Sequence, residues 1–191
     1  MKYILSPHIA LRSWHLVPYA HLVKGCNFAR GLKKEEFELM LSCDGQTDLP
    51  ESDLLKELLK RDLIREAGNG ETLTPWQQPL FCQNRYVPQM NFQITAKCNY
   101  NCVHCFNAAD NAPMMSEMAY ADVLKLLDEA KMCGVYAITI TGGEPMMHSN
   151  FMTSCMPSTS AACSSLILIQ TGIFSGRKLS MNSVRWDAIL L

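Results

Sequence analysis

The chain has no apolar run near the ~20 residues that a helix needs to cross a bilayer, so no membrane-spanning helix is expected. Met1 to Val17 is broken by His8, Arg12 and His15 and lacks the uninterrupted apolar stretch of a secretory signal. Charge is scarce and balanced: 18 % of residues are charged and the net charge is −1. Neither nucleic acid nor an anionic membrane surface is therefore expected as a partner. The nine cysteines are an odd number without a secretory signal, which argues against a disulfide framework and for reduced thiols in the cytoplasm. With 48 % hydrophobic residues over 191 positions, a packed core is available to one large domain or two small ones.

What is present is concentrated in one run. Cys98, Cys102 and Cys105 have the spacing C-x3-C-x2-C, with no fourth cysteine close behind. Three thiolates can hold three irons of a [4Fe–4S] cluster and leave the fourth iron without a protein ligand. An open iron is what a cluster needs to bind a small molecule and pass it an electron. A second stretch, Thr141-Gly142-Gly143-Glu144-Pro145, follows an apolar β-like segment. Zinc is the competing reading, with Cys82 or His104 as a fourth ligand. It leaves the glycine-rich stretch without a role.

Together the two motifs resemble the signature of the radical S-adenosylmethionine (radical SAM) enzymes. The resemblance implies that Cys98, Cys102 and Cys105 ligate the cluster while its open iron chelates S-adenosylmethionine. Gly142 and Gly143 would admit the cofactor close to the backbone, and Glu144 would accept from its ammonium. His104 would lie near the adenine, and Phe106 and Asn107 would pack around the cluster loop. The implied chemistry is reductive cleavage of S-adenosylmethionine to a 5′-deoxyadenosyl radical, with an electron donor as a further partner. The implied architecture is α/β: the start of a partial (β/α)6 TIM-like barrel, its active site at the carboxyl ends of the strands.

Residues 1–80 read as a small α+β unit. Short β-like patches precede Val23. Helical periodicity runs from Lys33 to Cys43. Ser52 is positioned to cap a helix carrying Leu54, Leu55, Leu58 and Leu59. Leu63 to Glu66 reads as a strand, and Gly68-Asn69-Gly70 as a turn returning to Thr72-Leu73. This order is winged-helix-like. Ten Lys/Arg against eleven Asp/Glu within it argue against a phosphate-binding face. It is similar to the peptide-recognition domains fused to peptide-modifying radical SAM enzymes, so a peptide substrate is the expected partner. Residues 81–90 read as a linker and 91–151 as the first part of the radical SAM core. Within that core Asn91–Ala96 and Val135–Ile140 read as strands. Ser116 is expected to cap a helix from about Glu117 to Met132, with Gly134 as its stop. Cys26, Cys43, Cys82 and Cys133, and Met90, Met114, Met115, Met146 and Met147, read as core residues.

Residues 152–191 change character. Positions 149–191 hold nine serines against five in 1–148, and their only acid is Asp187. Little helical or strand periodicity remains, so a truncated or frame-shifted core is expected. Ile94, Ile138 and Ile140 would then lack neighbours, leaving an inactive fragment that binds a peptide at most. A small zinc-binding protein is the remaining alternative.

Overall fold

The computed structural model describes residues 1–26, 28–105, 107 and 116–150, and the backbone of 166–169. Phe106, Met114, Met115, Cys155 and Cys163 lie outside the described residues. The chain divides into two compact units, Met1–Val87 and Pro88–Leu191.

The first unit carries β1 (Lys2–Leu5), β2 (Ile9–Ser13), β3 (Ala20–Val23), β4 (Ala29–Gly31), α1 (Lys34–Leu41), β5 (Asp44–Asp48), α2 (Asp53–Lys60), β6 (Ile64–Glu66) and β7 (Leu80–Phe81). They form a three-stranded sheet, β5-β1-β6, and a four-stranded sheet, β4-β3-β2-β7. Tyr3, Leu5, Ile9, Leu11, Phe37, Met40, Leu55, Leu58 and Ile64 build one core. Ser52 caps α2, its Oγ accepting from the Leu55 N–H at 3.2 Å. Glu36 does similar work for α1: it accepts from the Lys33 N–H at 2.8 Å and pairs with Arg61. The expected return strand at Thr72-Leu73 does not form. β6 pairs instead with β1, and Glu71 turns back to Arg65 and to the Gly68 N–H at 2.9 Å.

The second unit carries β8 (Gln89–Thr95), α3 (Tyr120–Met132), β9 (Ala137–Gly142) and β10 (Leu166–Ile169) in a sheet ordered β10-β9-β8. Both pairings are parallel, which makes β8-α3-β9 a βαβ unit. Alternation along β8 sets its two faces. Phe92 and Ile94 are buried while Asn91 and Gln93 are exposed. Phe92, Ile94, Ile138 and Ile140 pack with Val123, Leu127 and Ala130 of α3. Each such aliphatic side chain contributes about 1.5–3 kcal/mol on full burial.

Three expectations change here. Ile94, Ile138 and Ile140, expected to lack neighbours, are each 1 % exposed, because α3 packs on that face with Val123, Leu127 and Ala130. The tail, expected to lack strand character, supplies β10 from Leu166-Ile167-Leu168-Ile169. The α3 helix begins three residues later than expected, with Ala119 rather than Ser116 at its N-cap position. Ser116 to Met118 are extended along β8 instead: the Ala96 N–H donates to the Ser116 carbonyl at 2.9 Å and the Met118 N–H to the Ile94 carbonyl at 2.9 Å. Gly134, at φ +77°, ends the helix as expected.

Candidate functional site

β8 and β9 run in parallel, so both motifs emerge at the same end of the sheet. Thr95 and Gly142 are register partners. Beyond them the Gly143 N–H donates to the Thr95 carbonyl at 2.9 Å and the Glu144 N–H to the Lys97 carbonyl at 2.8 Å. Glycine is demanded twice. Gly142 has φ +145°, and a Cβ there would lie 2.1 Å from the Thr95 carbonyl oxygen. A Cβ on Gly143 would lie 2.2 Å from the Lys97 carbonyl oxygen. The glycines therefore admit the backbone that leads into Cys98. Asn107 adds a side-chain amide bond to the Gly142 carbonyl, which ties the far end of the cysteine loop to the same strand.

The loop itself is tight. The Cys105 N–H donates to the Cys102 carbonyl at 3.0 Å, and the Cys98 sulfur accepts from the Tyr100 N–H at 3.4 Å. Cys98 is 6 % exposed, Cys105 partly buried and Cys102 exposed. His104 is exposed. Glu144 is 1 % exposed, and its Oε1 accepts from the Met146 N–H at 3.2 Å, which caps the 3-10 turn Pro145–Met147. Desolvation, then the charges of Glu144, Cys98 and Cys102, push the Tyr100 phenol above its ordinary value. One phenol thus senses both motifs.

Among the described residues, no group of three or more His, Cys, Asp and Glu is gathered to hold a metal ion. Three cysteines within eight residues are the kind of donor set that an iron–sulfur cluster takes, each sulfur on its own iron. Cys43 is a different kind of thiol: burial, then Asp44, push it up to about 12, and its sulfur faces the Leu39 carbonyl. Cys26 and Cys133, expected in the core, are only partly buried. Met146, also expected there, is 43 % exposed.

A second set of residues was not visible in the sequence. Lys97 Nζ lies 3.0 Å from Glu117 Oε2. Glu117 also accepts from the Ser149 hydroxyl at 2.6 Å and the Ser149 N–H at 3.1 Å. The Ser149 hydroxyl, then Lys97, hold the Glu117 carboxyl down at about 2. Beside it, His148 Nε2 lies 2.8 Å from the Met118 carbonyl, and its Nδ1 accepts from the Asn150 N–H at 3.1 Å. Lys97 and Ser149 stand 20 and 32 residues from Glu117, and no short motif joins them.

A parallel βαβ unit with a cysteine loop and a Gly-Gly-Glu turn at one end defines an α/β protein whose two motifs share the strand ends. Residues 92–160 match the family model of the Radical SAM superfamily. The chain is 29 % identical over 105 residues to a probable GTP 3′,8-cyclase of Methanosarcina mazei, covering 51 % of this chain and 29 % of the relative. It is 37 % identical over 67 residues to an S-adenosylmethionine-dependent nucleotide dehydratase of Siniperca chuatsi, covering 35 % of this chain and 18 % of that protein. The chain thus spans less than a third of the length of these curated relatives. Its fold is similar to that of Streptococcus suis SuiB, solved bound to S-adenosylmethionine: TM-score 0.56, 14 % identity, over 92 % of this chain and 44 % of that one. Among the described residues, no helix is long and apolar enough to cross a membrane.

Proposed function

We propose that Cys98, Cys102 and Cys105 hold a [4Fe–4S] cluster and that Gly142, Gly143 and Glu144 receive S-adenosylmethionine beside it, in a radical SAM reaction. The observation that carries this reading is the pair of backbone bonds from Gly143 and Glu144 to Thr95 and Lys97. They place the Gly-Gly-Glu turn at the root of the cysteine loop. Bound there, the cluster would supply the electron that cleaves the sulfonium to a 5′-deoxyadenosyl radical. The chain's own residues do the rest. Cys98 anchors the buried side of the loop, and Cys102 presents its thiolate outward. Glu144, held by the cap it makes on Met146, offers a fixed carboxylate to an ammonium. His104, exposed on the loop, is the candidate to meet the adenine. The strand order is consistent with the opening of a partial (β/α)6 barrel.

For the substrate we propose a polypeptide, with an electron donor as the second partner and the cytoplasm as the setting. Support comes from the first unit, where β4, among the described residues, pairs with β3 alone. Adding a strand to such an edge is a recurring way of holding an extended peptide. The curated relatives with nucleotide-related names match only 35–51 % of the chain, and that overlap carries the shared domain rather than a substrate. Anaerobic reconstitution with iron and sulfide should give iron and sulfide in equal amounts and a broad thiolate-to-iron absorbance. Cys102→Ala should abolish both. A single bound zinc after air-free purification would overturn the reading.

A further inference from the structure

The root of the cysteine loop is held from three sides, and only one of them involves the motif residues. The Lys97 N–H donates to the Thr95 hydroxyl at 3.1 Å. The Lys97 carbonyl takes the Glu144 N–H at 2.8 Å. The Lys97 ammonium meets Glu117, which in turn takes two bonds from Ser149, four residues past Pro145. Glu117 itself is fixed to β8 by its bridge to Thr95 and the flanking backbone bonds of Ser116 and Met118. One carboxylate therefore joins the segment entering Cys98 to the segment leaving Glu144. It is bonded to both, and it sits on neither motif.

We infer that Glu117, acting through Lys97 and Ser149, is a positioning residue that sets Cys98 against Glu144 and so tunes the affinity of the cluster site for S-adenosylmethionine. The inference deepens the function proposed above and rests on it. The chemistry is direct. Charge-assisted hydrogen bonds are shorter and stronger than neutral ones, and the Glu117 carboxylate takes three, one from Lys97 and two from Ser149. Without the carboxylate, Lys97 keeps only its backbone bonds to Thr95 and Glu144, its ammonium loses its partner, and the two segments lose their common anchor. Glu117 never touches the cofactor, so its removal leaves the three thiolates intact.

The full chain, reconstituted without oxygen, tests this through three variants and two readouts. Electron paramagnetic resonance of the reduced cluster, titrated with S-adenosylmethionine, reads cofactor affinity. Hydrogen exchange at the Gly143 and Glu144 amides reads the seam itself. In Glu117→Gln and Lys97→Met, iron content should match the parent. The half-saturating S-adenosylmethionine concentration should rise about tenfold or more, and both amides should exchange faster. Lys97→Arg keeps the charge and should restore parental titration, which a role in packing alone would not. Titrations unchanged in both charge-removing variants would overturn the inference. A parent chain that assembles no cluster would sink the proposed function instead. Amide exchange would then decide the clamp alone: parental rates in Glu117→Gln reject it and faster rates support it. If Glu117→Gln does not fold, Lys97→Met carries both readouts.

Discussion

Each unit buries a glutamate, and the two serve different ends. Glu36 is 7 % exposed. Its carboxylate closes a capping box with Lys33 and pairs with Arg61, so its bonds all secure helix α1. Glu144 is 1 % exposed. It caps a single 3-10 turn with one oxygen at 3.2 Å and stands at the end of a strand rather than inside a helix. The contrast extends to the sheets. The N-terminal unit gathers its strands and helices around one apolar core. The second unit packs α3 on the sheet face of Phe92, Ile94, Ile138 and Ile140, and alternation puts Asn91, Gln93, Thr139 and Thr141 on the other face. An acid buried among its own structural partners reads as architecture; an acid buried at the rim of a polar face reads as chemistry.

The sharpest way to separate the units is Gly143→Ala. A Cβ would sit 2.2 Å from the Lys97 carbonyl oxygen and 2.8 Å from that of Ala96. Backbone cannot yield as a flexible side chain does, so a cost of about 3 kcal/mol is expected. The melting transition of residues 88–150 should drop while hydrogen exchange in β1 to β6 stays parental. Truncating a core residue in each unit should cost similar amounts locally. Ile138→Ala and Leu58→Ala, at 1 % and 0 % exposure, should each lose about 3–4 kcal/mol in denaturant unfolding. Each loss should stay confined to its own unit.

Acid should distinguish the units next. His21 is 3 % exposed. Burial, then Arg30 and Arg61, lower it to about 4. Its unfolded value is higher, so the unfolded state takes the proton first as pH falls. Stability present above about pH 6.5 is lost progressively down to pH 4, by at most about 3 kcal/mol. Glu117, lowered to about 2, contributes stability that is fully present above its ordinary value of 4.5 and is lost progressively as pH falls from there to 2. Mild acid should therefore melt the N-terminal unit first, and His21→Phe should flatten that dependence. An acid profile identical in both units would remove the distinction. The smallest effect belongs to Ser52→Ala, which removes one cap at a cost of about 1 kcal/mol, read as a small shift in the first unit's urea midpoint.

The two motifs are more legible in the sequence than the scaffold that joins them. Cys98, Cys102, Cys105 and Gly142 to Glu144 are compact runs whose spacing survives without coordinates. The α2 cap at Ser52 and the stop at Gly134 are also local signals, and both appear where their residue types predict. Ser116 looked like a cap because serine before an apolar period usually is one. Its backbone was claimed instead by the edge of β8, a long-range event that no local pattern encodes. Leu166-Ile167-Leu168-Ile169 was passed over because a four-residue apolar run has no period of its own; β9 makes it a strand. The Lys97–Glu117–Ser149 link was invisible for the same reason: each member is an ordinary surface residue until the fold brings them together.

The segment 116–118 has one more effect. By lying antiparallel against the carboxyl end of β8, it occupies the hydrogen-bonding rim that another parallel strand would need there. The β8 edge is thus sealed at that end by the chain's own backbone, immediately before the cysteine run.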